Sequence, residues 1–541
     1  MNVLKIFSPA LYLLLVLSWD LLAQNYNEPE VVHFSVPKSI YFGGERIWID
    51  ASAMQGEDPA PSKILYAELV NRYNESVAIA KMPIEDGESF NFLQIPTNLP
   101  SDNYLLRVFT RISPYQDLSR GLTQRFVTIF NRQVPPTVVS ERTKSNSFAS
   151  VDSPEIEISQ NKVVAGAQIE VKVPQQNQVV EVKVAVENPF LSNQELLPSA
   201  NVYNSLESRD LVPELFGHII EAKLEDTAVD TTQLYYLSLH GEKSALFTDR
   251  PNPSGHLYFD AGGLKHWNYL VAQGHGNKSL LDFTIVSPAP ETSFKEDFVF
   301  PELVISPSDE PLLKELLRGG QVEGYFVNEF DTSLFPVVTG FVEDRIYLLD
   351  DYTRFESVET IIKEYVPEVS LKSIKKKKEF RTLNEIVSHS FDRNPLMLVD
   401  AMPIFDSDLL AKFNPKGFEK LQILTRTFYL NEEEFPGVMS FSTYKNDFGG
   451  FPIPSNGIYL DYQGIQPKVV SAVALFDAPQ SDLGIMDWRT VLYWSALPDL
   501  VGNEESIQIK VPETKGKFQV TVKTIATDGV TKYYSRSFEV K

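Results

Sequence analysis

Cysteine is missing from all 541 residues. Its absence removes thiol nucleophiles, thiolate metal sites, internal thioesters and a lipidated N-terminal cysteine. It also removes any disulfide framework, so stability has to come from packed cores. Basic residues are in the minority, 49 Lys and Arg against 72 Asp and Glu, for a net charge of −23 at pH 7. A chain so acidic is disfavoured as a whole on nucleic acids and anionic membranes, both of which reward basic surface. Long apolar runs are scarce as well. The longest, residues 10–17, is far short of the roughly 20 needed to span a bilayer, and Asp20 follows it. The sequence holds no His-x-x-x-His pair, no Gly-x-Ser-x-Gly elbow and no phosphate-binding glycine loop, which are the local signatures of catalytic zinc, serine hydrolysis and nucleotide binding.

What is present begins with an address. MNVLKIFSPALYLLLVLSWDLLAQ carries Lys5, an apolar stretch and a small residue at Ala23. This pattern reads as a signal peptide over residues 1–23, cleaved before Gln24. It places the mature protein outside the cytoplasm, in the periplasm or associated with the outer membrane. A chain of this length exceeds one core and is expected to form three to five domains. Aromatic content of 12% with 35 prolines suits β-sandwiches better than helical bundles.

Alternation supports that fold class. Val32, Phe34 and Val36 face one way, as do Ile47 and Ile49, then Leu65, Ala67 and Leu69, then Tyr104, Leu106 and Val108. Short alternating strands punctuated by Gly, Pro and Asn indicate an antiparallel sandwich over residues 24–134. The phrases VPKSIYFGGERIWIDA, ILYAELVN and LPSDNYLLRVFTR resemble the MG2 domain of the macroglobulin family. A polar linker is expected at 135–153, followed by further sandwiches at 154–230 and 231–307. From 308 to 366, EPLLKELLR and ESVETIIKEY carry apolar residues at helical spacing and predict a mixed helix and strand connector. A last β-sandwich is expected at 451–541.

Residues 367–450 read differently. PLMLVDAMP, FNPKGFEKLQIL and PGVMSFST resemble three segments of the plug domain of TonB-dependent outer-membrane transporters. A transporter barrel of 22 strands at roughly 9–11 residues each cannot be built from the 97 residues after Tyr444. The resemblance implies a small mixed sheet of 396–399, 421–424 and 438–442, a helix around 416–419, and Asp400 capping a tight turn. Ala401 stands where the motif has glycine. Phe405, Phe413, Phe428 and Tyr429 lie between the strands and are the candidate contacts at a domain or partner interface. The order of domains, with DWRTVLYWSALPDL near the end, resembles a family of large exported envelope proteins of Bacteroidota.

Candidate chemistry is thin. His256, His266 and His275, with Asp260, are read as strand-edge and loop residues and not as a metal site. Asp350 with Asp351, Asp406 with Asp408, and Glu432 to Glu434 match no calcium loop and are read as solvated. The run Lys375 to Lys378 is read as solvated surface, with lipid phosphates or an acidic partner as the alternative. The expected fold is mainly β, tandem macroglobulin-like or immunoglobulin-like sandwiches with a small α+β plug-like domain. The expected function is a non-enzymatic envelope scaffold that binds outer-membrane or secreted proteins, with no cofactor. The alternatives are a glycan- or peptide-acting hydrolase with Trp267, Trp488 or Trp494 stacking on sugar, and a non-covalent protease binder.

Overall fold

Alternating strands bury one face each, and in this chain they do so in two compact units. The first comprises Met1–Leu215, Ala289–Thr332 and Pro467–Lys541; the second comprises Phe216–Pro288 and Ser333–Gln466. The computed structural model describes residues 28–141, 152–174, 178–191, 196–225, 229–262, 267–277, 279–323, 330–331, 341–431, 433–469, 486–495, 506–526 and 530–541. The expected leader, part of the linker and His266 lie outside these. Among the described residues no helix is long and apolar enough to cross a membrane.

In the first unit, Glu30–Ser35, Arg46–Gln55 and Glu88–Gln94 form one antiparallel sheet. Ile40–Phe42, Thr123–Phe130, Asp102–Phe109, Ile64–Val70 and Ser76–Pro83 form a second. Every inward residue read from the alternation, from Val32 to Val108, lies in the core between these sheets. The opposite face of the second sheet is polar yet also covered. Segments around Ser199–Val202 and Thr292–Phe294 lie across it. Arg107, paired with Glu68, donates to Pro290 O at 3.0 Å, and Tyr66 donates to Glu214 at 2.7 Å. Pairing of this kind offsets the cost of burying these polar side chains.

The next sandwich corrects the expected order of domains. Gln168–Lys172 pairs with Ser506–Lys510, and Gln178–Val186 pairs with both Gly516–Ile525 and Val491–Ser495. The C-terminal strands therefore complete the sandwich opened near residue 157 and form no domain of their own. Their apolar faces, Val182 and Val184 on one strand and Phe518, Val520 and Val522 on the other, share one core. Helix Glu310–Glu323, expected as connector, packs Leu316 into that same core.

The second unit opens with another sandwich. Ile219–Leu224 is the central strand of one sheet between His256–Asp260 and Phe283–Val286. Facing it, Ala245–Asp249, Tyr235–Gly241 and Trp267–Gly274 accept Ile458–Asp461 as an edge strand. The remaining residues build a mixed five-stranded sheet in the order Arg345–Leu348, Phe418–Leu424, Val438–Thr443, Leu396–Val399, Met402–Pro403. Leu396–Val399 runs parallel to Val438–Thr443, and Phe418–Leu424 runs antiparallel to it. The expected three-strand sheet is present, but its helix is misplaced. Residues 415–417 make a single 3-10 turn and Glu419 is already in a strand. The helices are Val358–Tyr365, capped by the Ser357 hydroxyl, and Ser407–Lys412, capped by Asp406. Asn414 and Pro415 keep the chain from continuing as a helix toward the strand.

Candidate functional site

The mixed sheet is organised around one carboxylate. Val399 pairs with Met402 across a two-residue turn, so Asp400 and Ala401 take the left-handed conformation at φ of 47° and 68°, as a type I′ turn requires. Ala401 thus holds a position that favours glycine, and the turn forms regardless. Asp400 Oδ1 accepts from Thr443 N at 2.7 Å, and Oδ2 accepts from Thr443 Oγ1 at 2.6 Å and Phe448 N at 2.9 Å. Burial pushes the Asp400 carboxyl up despite these bonds. Its role is to tie the turn to the end of the neighbouring strand, as the resemblance implied.

The four candidate aromatics separate. Phe405 packs edge-on against Tyr236 and His275, with centroids at 5.3 and 5.5 Å, between the sandwich and the mixed sheet of the second unit. Phe413 closes helix Ser407–Lys412 against Phe418 and Phe451. Phe428 is buried with Leu398, Leu424 and Val438. Tyr429, next along the Phe428–Leu430 strand, points the other way and is 63% exposed, as strand alternation demands. Two of the four therefore lie in internal packing, one at an internal junction, and Tyr429 alone of the four presents itself to solvent.

Sequence reading missed a second exposed apolar feature. Arg345–Leu348 is an edge strand, and among the described residues it pairs on one side only. Tyr347 turns inward, while Ile346 and Leu348 are 52% and 49% exposed. In sequence, three consecutive apolar residues read as a buried strand and carry no sign of which side remains open.

A polar cleft of about 370 Å³ lies in the second unit, lined among others by Asp230, Arg250, His275, Asp282 and Glu433. Its charges are largely engaged. Arg250 pairs with Glu433, and Asp230 accepts from Thr232 N at 2.9 Å and Oγ1 at 2.6 Å. Those bonds hold the Asp230 carboxyl below its usual range, whereas a general acid needs the opposite shift.

The described candidate histidines and the tryptophans make the following contacts. His256 Nδ1 bonds Glu221 at 2.6 Å, and His275 Nδ1 bonds the Tyr236 hydroxyl at 3.0 Å. His256 opens a strand, His275 opens a 3-10 turn, and each has its own partner. Among the described residues no group of His, Asp and Glu is placed to hold a metal. Trp267 is buried, Trp494 donates to Ser35 Oγ at 2.8 Å, and Arg318 lies over Trp488 at 5.4 Å. Asp350 accepts from Arg354 and Tyr444, and Asp408 accepts from Lys378 N at 2.8 Å.

No protein-family model matches the chain, and no curated protein matches it. Among solved structures, Salmonella α2-macroglobulin reacted with methylamine is 9% identical with a TM-score of 0.16, over 95% of this chain and 23% of that chain. The native conformation of E. coli α2-macroglobulin is 7% identical with a TM-score of 0.22, over 95% of this chain and 40% of that chain. The chain spans less than half the length of these proteins. The fold class rests on the strand pairings themselves: mainly β, with tandem sandwiches and one α+β module.

Proposed function

We propose that the chain is a non-enzymatic scaffold of the cell envelope, exported and held near the outer membrane, that binds other envelope proteins through its second unit. The observation that carries the reading is the Arg345–Leu348 edge, which among the described residues pairs on one side only, with Ile346 and Leu348 exposed. A strand edge with unpaired backbone groups and outward apolar side chains is a template for an extended segment from another protein. The exposed Tyr429 adds an aromatic of the kind enriched at such contacts. The candidate carboxylates support the same reading, because Asp400 and Asp406 serve turns and helix caps.

The test is a photo-crosslinking residue at 346 or 348 in cells that make the protein. A discrete crosslinked envelope protein, lost when the other of the two positions is charged (Leu348→Lys with the crosslinker at 346, Ile346→Lys with it at 348), supports the proposal. Crosslinks that are absent, or that survive those substitutions, sink it.

A further inference from the structure

The only strong basic run of the sequence, Lys375 to Lys378, falls on the tip of a hairpin. Val369–Ile374 and Lys377–Asn384 form an antiparallel hairpin in which Ile374 pairs directly with Lys377. Lys375 and Lys376 are therefore the two central residues of the turn, at φ of 49° and 68°. That turn type favours Asn-Gly, and an L residue in the left-handed region costs roughly 1–2 kcal/mol. Placing lysine at both positions sets local preference against the fold, the kind of conflict that gathers at functional sites.

The base of the hairpin is anchored and its tip is not. Phe380 is fully buried and Leu371 packs on the core of the mixed sheet. On the helix side, Lys378 Nζ meets Glu359 at 2.8 Å, and Lys378 N donates to Asp408 at 2.8 Å. Beyond that point Ile374, Lys375, Lys376 and Lys377 are all exposed, as are Lys372 and Ser373 opposite Glu379 and Lys378. The nearby carboxylates are occupied: Glu359 by Lys363 and Lys378, Glu379 by Arg381. Past the anchored Ser373–Lys378 pair, the Ile374–Lys377 pair and the two turn residues extend about 7 Å, comparable to the Debye length of about 8 Å at physiological ionic strength. The lysines thus stand clear of most of the repulsion between the acidic body and an anionic surface.

We propose that this hairpin tip docks on an anionic lipid surface, its lysines on headgroup phosphates and Ile374 at the apolar boundary. Ile374 alternates onto the same face as Lys372 and its cross-strand partner Lys377, which pairs cationic and apolar contact as an interfacial anchor does. Lysine is a point charge without the fixed fork of arginine. Three of them at a projecting tip suit a fluid array of phosphates better than the fixed carboxylate pattern of an acidic protein.

The experiment is co-sedimentation of the full chain with phosphatidylcholine vesicles, with and without phosphatidylglycerol. Binding is expected only with the anionic lipid and is lost in high salt. K375Q/K376Q/K377Q is expected to weaken it on the order of 100-fold while leaving the thermal midpoint in place. K375N/K376G, which repairs the turn, is expected to melt higher and bind less well. Equal binding to neutral vesicles overturns the proposal, as does a triple variant that sediments like the native chain. So does an Asn-Gly tip that melts higher yet binds as before. Full competition by polyglutamate at matched charge transfers the site to an acidic protein and also overturns it.

Discussion

Asp400 and Thr443, forty-three positions apart, are joined by two hydrogen bonds from one carboxylate, to the amide at 2.7 Å and to the hydroxyl at 2.6 Å. The pair locks a left-handed turn onto the end of the adjacent strand, with the Phe448 amide as a third donor. Asp400→Ala leaves three buried donors without an acceptor. It is expected to destabilise the second unit by about 3 kcal/mol or more, read as a fall in its urea midpoint. A loss below about 1 kcal/mol contradicts the clamp.

Ala401 gives the reverse expectation. At φ of 68° it bears a steric cost that glycine avoids, offset in part by the larger unfolded-state entropy of glycine. Ala401→Gly is expected to stabilise the second unit by about 0.5–1 kcal/mol. Thermal melting checks the sign.

Asp50 makes the first unit sensitive to alkali. Burial, with Glu88 and Glu181 adding like charge, pushes its carboxyl up to about 6 from the usual 3.8. The folded state therefore holds this proton more tightly than the unfolded state. The stabilisation is present below about pH 4 and is lost as pH rises through about 6. Asp50→Asn is expected to raise stability at pH 7.5 by up to about 3 kcal/mol and to flatten that limb in a pH series of denaturation midpoints.

His240 gives the second unit the opposite dependence. Burial alone lowers its imidazole to about 3 from 6.5, while the ring stacks on Tyr269 and bonds Ser238 Oγ at 2.8 Å. The neutral ring belongs to the fold, so its contribution is full above pH 6.5 and declines as pH falls toward 3. Calorimetry at pH 4 and pH 7 is expected to show a steeper acid loss for the native chain than for His240→Gln.

Truncation tests the discontinuous sandwich. A chain ending at residue 505 lacks Ser506–Lys510 and Gly516–Ile525, which pair with Gln168–Lys172 and Gln178–Val186, and Thr531–Val540, which pairs with Gly516–Ile525 and Lys162–Val163. Limited proteolysis is expected to cut within 155–186 in this variant and to spare that segment in the full chain. Equal protection in both would mean the early strands fold without their partners.

Much of the first sandwich was legible because its information is local. Period-two alternation from Val32 to Val108 names the inward residues wherever one face is buried. The strands near Leu396, Leu421 and Val438, and the turn at Asp400, were legible through motif resemblance. The helix expected at 416–419 was not, because residues 407–412, with Asp406 as cap, are the true helical segment and residues 415–417 only turn.

The sequence by itself determined which residues turn inward on the strands of the first sandwich, the absence of thiol chemistry, and the acidic character of the whole chain. Only the tertiary structure decided which strands meet. Alternation says nothing about a partner three hundred residues away, and it was long-range pairing that joined Gln178–Val186 to Gly516–Ile525. Long-range packing also buried Phe428 and left Tyr429 outside. The turn at Lys375 and Lys376 was hidden for the converse reason. Local preference argues against lysine there, and the register of Ile374 with Lys377 overrides it.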